Sequence, residues 1–213
     1  MALKTCRLPA ATGGFSTATP AQEDLDATKL SDAVDQLSTR LRLSVQVFRN
    51  NCLVGTDPLN ALTASVHNNL WSVTKSVISL LTGIAVGEHK LSLNAPIGRY
   101  LPTGAGWGDA AHRAITVRDL LTQTGGLRQS ILAEAVTLGA DPSQAQEELG
   151  QPFIYPAGTR FQYSQLGPAL LAEVVQRAVG EDLGTFAQQH LFSPIGVNAG
   201  TSSSATGRCR QQA

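Results

Sequence analysis

The sequence predicts an α+β fold, with an N-terminal helix, a β-hairpin and a helical body. Three stretches carry that prediction. Leu25, Leu30, Val34, Leu37 and Leu41 recur at helical spacing, which gives an amphipathic helix from Glu23 to about Arg40. Leu43-Ser44-Val45-Gln46-Val47-Phe48 largely alternates, and Asn50-Asn51 turns it into Cys52-Leu53-Val54, a hairpin signal. Residues 70–87 form a near-continuous apolar run that Gly87 stops, which reads as a core helix.

Further elements follow in order. Leu91 to Pro96 is a break, and 103–113 is a Gly-rich loop holding Trp107. Ile115 begins another helix, with Thr116 as N-cap and Asp119 completing a weak capping box; Gly125-Gly126 ends it. One or two short helices are expected around Asp141-Pro142. Tyr155 to Thr159 is a turn, and Phe161-Gln162-Tyr163-Ser164 a short extended piece. Pro168 opens a helix that Gly180 caps, and a last helix covers 182–192. Residues 1–22, rich in Ala, Thr, Gly and Pro, read as a disordered leader. Residues 23–198 form the domain, and 199–213, without periodicity, a disordered tail.

Composition narrows the function classes. Sixteen basic and sixteen acidic residues give zero formal net charge, and no basic block occurs. That argues against nucleic acid and against an anionic membrane as partner. The 70–87 run contains Lys75 and several hydroxyls, unlike a membrane span. Three scattered cysteines, Cys6, Cys52 and Cys209, suggest neither a zinc site nor a disulfide framework, so Cys52 reads as a packed strand residue. Leu3-Lys4-Thr5-Cys6 superficially resembles a lipoprotein cleavage site, but no apolar segment precedes it. The first twenty residues lack the apolar core of a signal peptide, and a cytoplasmic location is expected.

The chemistry starts at Ser72-Val73-Thr74-Lys75. With four lysines and sixteen serines in 213 residues, a Ser-x-x-Lys arises readily by chance. Lys75 is nonetheless the lysine placed inside a long apolar segment. On a helix it shares a face with Ser72. A partly desolvated lysine has a depressed pKa and can accept a proton near neutrality, and a serine hydroxyl needs such a neighbour to become a nucleophile. Tyr163 matters if Ser72 does, because a phenol beside a lysine can serve as acid or base. The plainer reading is that Tyr163 packs its ring and bonds locally, as most tyrosines do.

Four blocks then stand in order: Ser72 to Ser76; Ile115 to Leu127; Pro156-Ala157-Gly158-Thr159-Arg160-Phe161-Gln162-Tyr163-Ser164; and Leu191 to Gly196. Their order and spacing, from about Leu25 to Val197, resemble the beta-lactamase-related serine hydrolase family. It groups class C beta-lactamases, DD-peptidases, related esterases and 6-aminohexanoate-dimer hydrolases. Ser-Val-Thr-Lys-Ser, and Tyr-Ser without a following asparagine, are most similar to the esterase and 6-aminohexanoate-hydrolase branch.

The resemblance implies a beta-lactamase/transpeptidase-like fold acting on an ester, amide or β-lactam through an acyl-enzyme. Ser72 would be acylated, and Lys75 would take its proton or hold Tyr163 as phenolate. Tyr163 would relay a proton to the leaving group, and the Ser72 N–H would serve half of an oxyanion hole. Gln165, where many members carry asparagine, and Trp107 are the candidate binding residues. His112 reads as a loop residue, outside the family motif. A neutral small-molecule ester or amide is the expected substrate, with no metal and no organic cofactor, since side chains suffice.

The family's Lys-Thr-Gly or His-x-Gly element, and the strands expected after Leu191–Val197, have no counterpart in the sequence. The C-terminal sheet strands are therefore expected to be missing. The hairpin edge would then be open to self-association, and the chain weakly active or inactive, since one oxyanion donor is worth about a hundred- to a thousand-fold. The alternative is a non-catalytic remnant or binding module that retains the helical subdomain.

Overall fold

The computed structural model describes residues 2–10, 13–40, 43–64, 66, 71–129, 143–197, 200–204 and 208–212. They fall into two compact units, Met1–Asn68 with Ile195–Val197, and Asn69–Pro194 with Asn198–Ala213.

In the first unit, helix α1 (Ala27–Ser38) starts where the Asp26 carboxylate accepts the Lys29 N–H at 3.0 Å, an ordinary N-cap. Val34 is buried, whereas Leu37 stays half exposed. Strands β1 (Gln46–Arg49) and β2 (Cys52–Thr56) pair antiparallel, with Arg49 opposite Cys52 and a bulge between Val47 and Phe48. Asn50 and Asn51 have φ of 47° and 63°. Two left-handed residues are what a type I′ hairpin turn requires, and asparagine tolerates them best after glycine. Asn50 also donates to the buried Glu23 carboxylate at 2.7 Å. A short helix, α2 (Asn60–Thr63), follows the hairpin.

Two sequence expectations change here. Cys6 and Cys52 form a disulfide, with Cα atoms 5.1 Å apart, so Cys52 is packed in the strand and also covalently bonded. An odd cysteine count with no repeated spacing carries no pairing information, and the partner is brought in by the chain path alone. That path is set by residues expected to be a loose leader. The Cys6 N–H donates to Asn50 O (3.0 Å), Leu53 N–H to Ser16 O (2.9 Å) and Ala18 N–H to Leu53 O (3.0 Å). The arm thereby lies along the hairpin and occupies part of its β2 edge.

The disulfide spans 46 residues, and closing a loop of that size in the unfolded chain stabilises by about 2–4 kcal/mol. Cys6→Ser is therefore expected to lower the thermal midpoint. Dithiothreitol should lower it in the parent protein to a similar degree and leave the variant unchanged. Equal midpoints for parent and variant without reductant would count against the bond.

The second unit is built around helix α3 (Val73–Gly87). Its buried residues Val77, Ile78, Leu81, Thr82 and Ala85 lie on one face. Short helices α4 (Ala110–Ala114), α5 (Val117–Leu121) and α6 (Gln144–Leu149) precede α7 (Leu166–Val179), which packs against α3. Leu81, Ile97, Val117, Leu170, Val174 and Phe186 are among this unit's fully buried core residues. The Thr116–Asp119 capping box is present in both directions, at 3.2 and 2.9 Å. Gly180 closes α7 in the left-handed conformation, its N–H on Gln176 O. Helix α8 (Leu183–Ala187) runs into a π-helical turn, Gln188–Phe192. The part of 129–150 read as helix around Asp141-Pro142 lies outside the described residues, apart from α6.

The stretch expected as a disordered tail contains two paired strands, β3 (Gly200–Ser204) and β4 (Arg208–Gln212), antiparallel with Gly200 opposite Gln212. Pairing of this kind is carried by the backbone ladder. A segment without apolar alternation gives no hydropathy signal for it. Among the described residues, no helix is long and apolar enough to cross a membrane.

Candidate active site

Helix α3 begins one residue after Ser72, which occupies the N-cap position with φ −70° and ψ −10°. The residue before it, Trp71, is 80% exposed at a φ of 49°, a left-handed conformation uncommon for a bulky side chain. Ser72 does not cap its own helix. Its Oγ lies 2.6 Å from the Tyr163 hydroxyl and 3.3 Å from Lys75 Nζ. One turn of helix separates Ser72 from Lys75, as the spacing predicts, and Lys75 N–H closes that turn on Ser72 O at 3.0 Å. Lys75 is half-buried rather than enclosed. Its ammonium stands 4.9 Å from the centre of the Tyr163 ring.

Tyr163 arrives from 91 residues away. It sits in residues 161–164, which belong to neither helix nor strand, just before α7. Its side chain is 48% exposed, so packing alone does not fix it. The next residue, Ser164, is buried, and its Oγ accepts the Gly167 N–H at 2.8 Å in the first turn of α7.

Gln165, a candidate binding residue from the sequence, directs its Oε1 to Lys75 Nζ as an acceptor. A serine, a lysine, a phenol and an amide are thus brought together, and all four come from the second unit. Trp107 is placed differently. It packs against the core cluster, its ring lies 5.1 Å from the Arg177 guanidinium and its carbonyl accepts from Arg113 Nη1 at 3.3 Å.

His112 has structural partners. Its Nδ1 pairs with Asp109 at 2.7 Å, its Nε2 with Gln151 O at 2.9 Å, and its ring faces Phe153. Backbone and side-chain hydrogen bonds from His112 hold the Asp109 carboxyl below the usual aspartate range. Among the described residues, no His, Cys, Asp and Glu side chains gather as a metal site.

One neighbour of the site carries no sequence signal of its own. Gln123, at φ 56°, accepts the Gln162 N–H on its carbonyl at 2.9 Å and the Ser164 N–H on its Oε1 at 2.8 Å. A neutral amide inside a helix-ending loop shows no pattern, and only its place in the Ile115–Leu127 block singles it out.

The sequence model of the Beta-lactamase family matches residues 30–213, reaching past Val197, where the resemblance was expected to stop. Esterase EstB of Burkholderia gladioli is 29% identical over 143 residues, 60% of this chain and 36% of that protein. A penicillin-binding protein homologue from Pyrococcus abyssi superposes with a TM-score of 0.65 at 22% identity, over 82% of this chain and 44% of its own. A beta-lactamase/D-alanine carboxypeptidase from Pseudomonas syringae gives 0.62 at 20% identity, over 81% and 50%. The chain thus spans about a third to a half of the lengths of these relatives, and its described part is a partial domain of their fold. With the family pattern running through most of its length and the same fold in these structures, this chain belongs to the beta-lactamase-related serine hydrolase family.

Proposed function

We propose that the chain carries the nucleophilic half of a serine hydrolase that cleaves an ester, amide or β-lactam through an acyl-enzyme. One observation carries this reading: the Ser72 hydroxyl lies within hydrogen-bonding distance of both Tyr163 and Lys75. A nucleophile held against a base that is itself held by a third group is the general arrangement of covalent catalysis.

The shorter contact supports Tyr163, as phenolate, as the acceptor of the serine proton: Ser72 Oγ is 2.6 Å from the phenol oxygen and 3.3 Å from the amine. Ser72 Oγ then bonds to the substrate carbonyl carbon. The carbonyl oxygen becomes an oxyanion at the positive end of α3, where the Ser72 N–H supplies a donor. When the C–O or C–N bond to the leaving group breaks, Tyr163 returns its proton to that group. A water then gives a proton to the same phenolate and its oxygen bonds to the acyl carbon; the bond to Ser72 Oγ breaks, Oγ takes that proton from Tyr163, and the acid leaves. Lys75 donates to Ser72 Oγ and to Gln165 and stands beside the phenol ring. Similarity to an esterase, together with the lack of a charged cluster among the motifs, favours an ester as the first substrate to try.

A fluorophosphonate probe is expected to label the protein at Ser72, with labelling abolished in Ser72→Ala. A p-nitrophenyl ester and a chromogenic cephalosporin should show which acyl donor is turned over. Equal labelling of folded Ser72→Ala would remove the nucleophile assignment.

A further inference from the structure

The geometry points to Gln123 as a positioning residue that holds the backbone of Tyr163 from both sides and so sets the aim of the phenol at Ser72. This rests on the hydrolase reading above. Residues 161–164 lie outside helix and strand, so no ladder fixes them. Gln123 supplies a substitute. Its main-chain oxygen takes the N–H of the residue before Tyr163, and its side-chain oxygen takes the N–H of the residue after, at 2.9 and 2.8 Å. A single residue can grip both positions because its left-handed φ of 56° turns its carbonyl and side chain toward the same segment.

The clamp is anchored at its other end. Gln123 N–H bonds to Leu120 O at 3.1 Å and Thr124 N–H to Asp119 O at 2.7 Å, both within α5. The Tyr163 ring is half exposed, so its backbone shares in setting its direction, beside the contacts with Ser72 and Lys75. The reacting oxygen sits at the far end of that ring, where a small backbone rotation is amplified. A hydrogen bond of 2.6 Å to Ser72 leaves little tolerance, and misplacement by about an ångström costs on the order of a hundredfold in rate.

The test uses two substitutions in the full chain. Gln123→Met keeps length and volume but lacks the side-chain acceptor for the Ser164 N–H, whereas Gln123→Glu keeps an acceptor oxygen at the same reach. Gln123→Met is expected to slow Ser72 labelling by the fluorophosphonate, and kcat for the p-nitrophenyl ester, about 10- to 100-fold with KM little changed. Gln123→Glu should recover most of that loss. Because Gln123 acts through Tyr163, adding Gln123→Met to Tyr163→Phe should cost nothing further. A full second loss in the double variant, or no rescue by glutamate, would overturn the proposal.

Amide hydrogen exchange separates this inference from the hydrolase reading. In Gln123→Met the Ser164 amide should exchange at least about tenfold faster while α7 amides stay protected, consistent with loss of a single hydrogen bond. If the parent protein never labels at Ser72, the hydrolase reading fails, and the Ser164 amide still decides the clamp. Unchanged Ser164 exchange sinks the clamp whatever the activity.

Discussion

Tyr163→Phe is expected to reduce the rate of Ser72 acylation by about 10²- to 10⁴-fold, the usual worth of a positioned acid–base group. The substitution removes one oxygen and leaves the ring. That oxygen makes the 2.6 Å contact with Ser72, and the ring is half exposed, so the thermal midpoint should move little. Lys75→Ala should lose a comparable factor for a different reason. It removes the positive charge 4.9 Å from the phenol ring and the donor to Ser72 Oγ. Groups that act as a unit are not additive, so the double variant should be hardly slower than either single one. The two roles are separable by measurement. If Lys75 itself took the serine proton, Tyr163→Phe would retain rapid fluorophosphonate labelling and lose only turnover of the ester. Labelling rates for the two single variants, measured at one pH, decide between these schemes.

How far the sequence could be read depended on which physical signal each feature leaves. Ser72 and Lys75 were legible because helical spacing alone places them on one face. Tyr163 was legible through its block, and the structure brings it to Ser72 across 91 residues. The hairpin turn and the Thr116 cap were legible because Asn-Asn and Thr-x-x-Asp have local stereochemical causes. The extent of Lys75 burial was not, since the apolar run around it says nothing about which neighbours cover its stem. The Cys6–Cys52 bond depends on an arm that meets the hairpin through backbone-to-backbone hydrogen bonds, and these are invisible in residue types. Gln123 is illegible for the same reason. Half of its grip is a carbonyl oxygen that every residue has, and the other half becomes meaningful only when φ is positive. Trp107, a candidate binding residue in a glycine-rich loop, makes contacts with Arg113, Arg177 and the core, which residue type and loop composition do not reveal.

Gly126→Val should be the most damaging single substitution away from the catalytic atoms. Gly126 has a φ of +80°, and a Cβ there would sit 2.3 Å from Tyr155 O and 3.2 Å from Ala157 N. Both obstacles are backbone, so no side chain can rotate away. The left-handed conformation costs a non-glycine residue about 1–3 kcal/mol, and overpacking adds about 1–3 kcal/mol. Together these approach the whole stability of a marginal domain, roughly 5–15 kcal/mol. The damage should also reach the site. Gly126 O accepts the N–H groups of Ile154 and Tyr155, at 2.8 and 3.2 Å, and Gly158 N–H bonds to Thr124 O at 2.8 Å. Pushing Tyr155 outward therefore pulls on the strap that carries Tyr163. Gly83→Ala is the matched control, because Gly83 lies inside α3 with open space where its Cβ would be. Alanine there should be neutral or stabilise by up to about 1 kcal/mol. Urea midpoints for both variants, read beside Ser72 labelling, test the close approach of the two segments. A Gly126→Val protein that unfolds at the parent midpoint and labels at the parent rate would mean that residues 126 and 155 are not in contact.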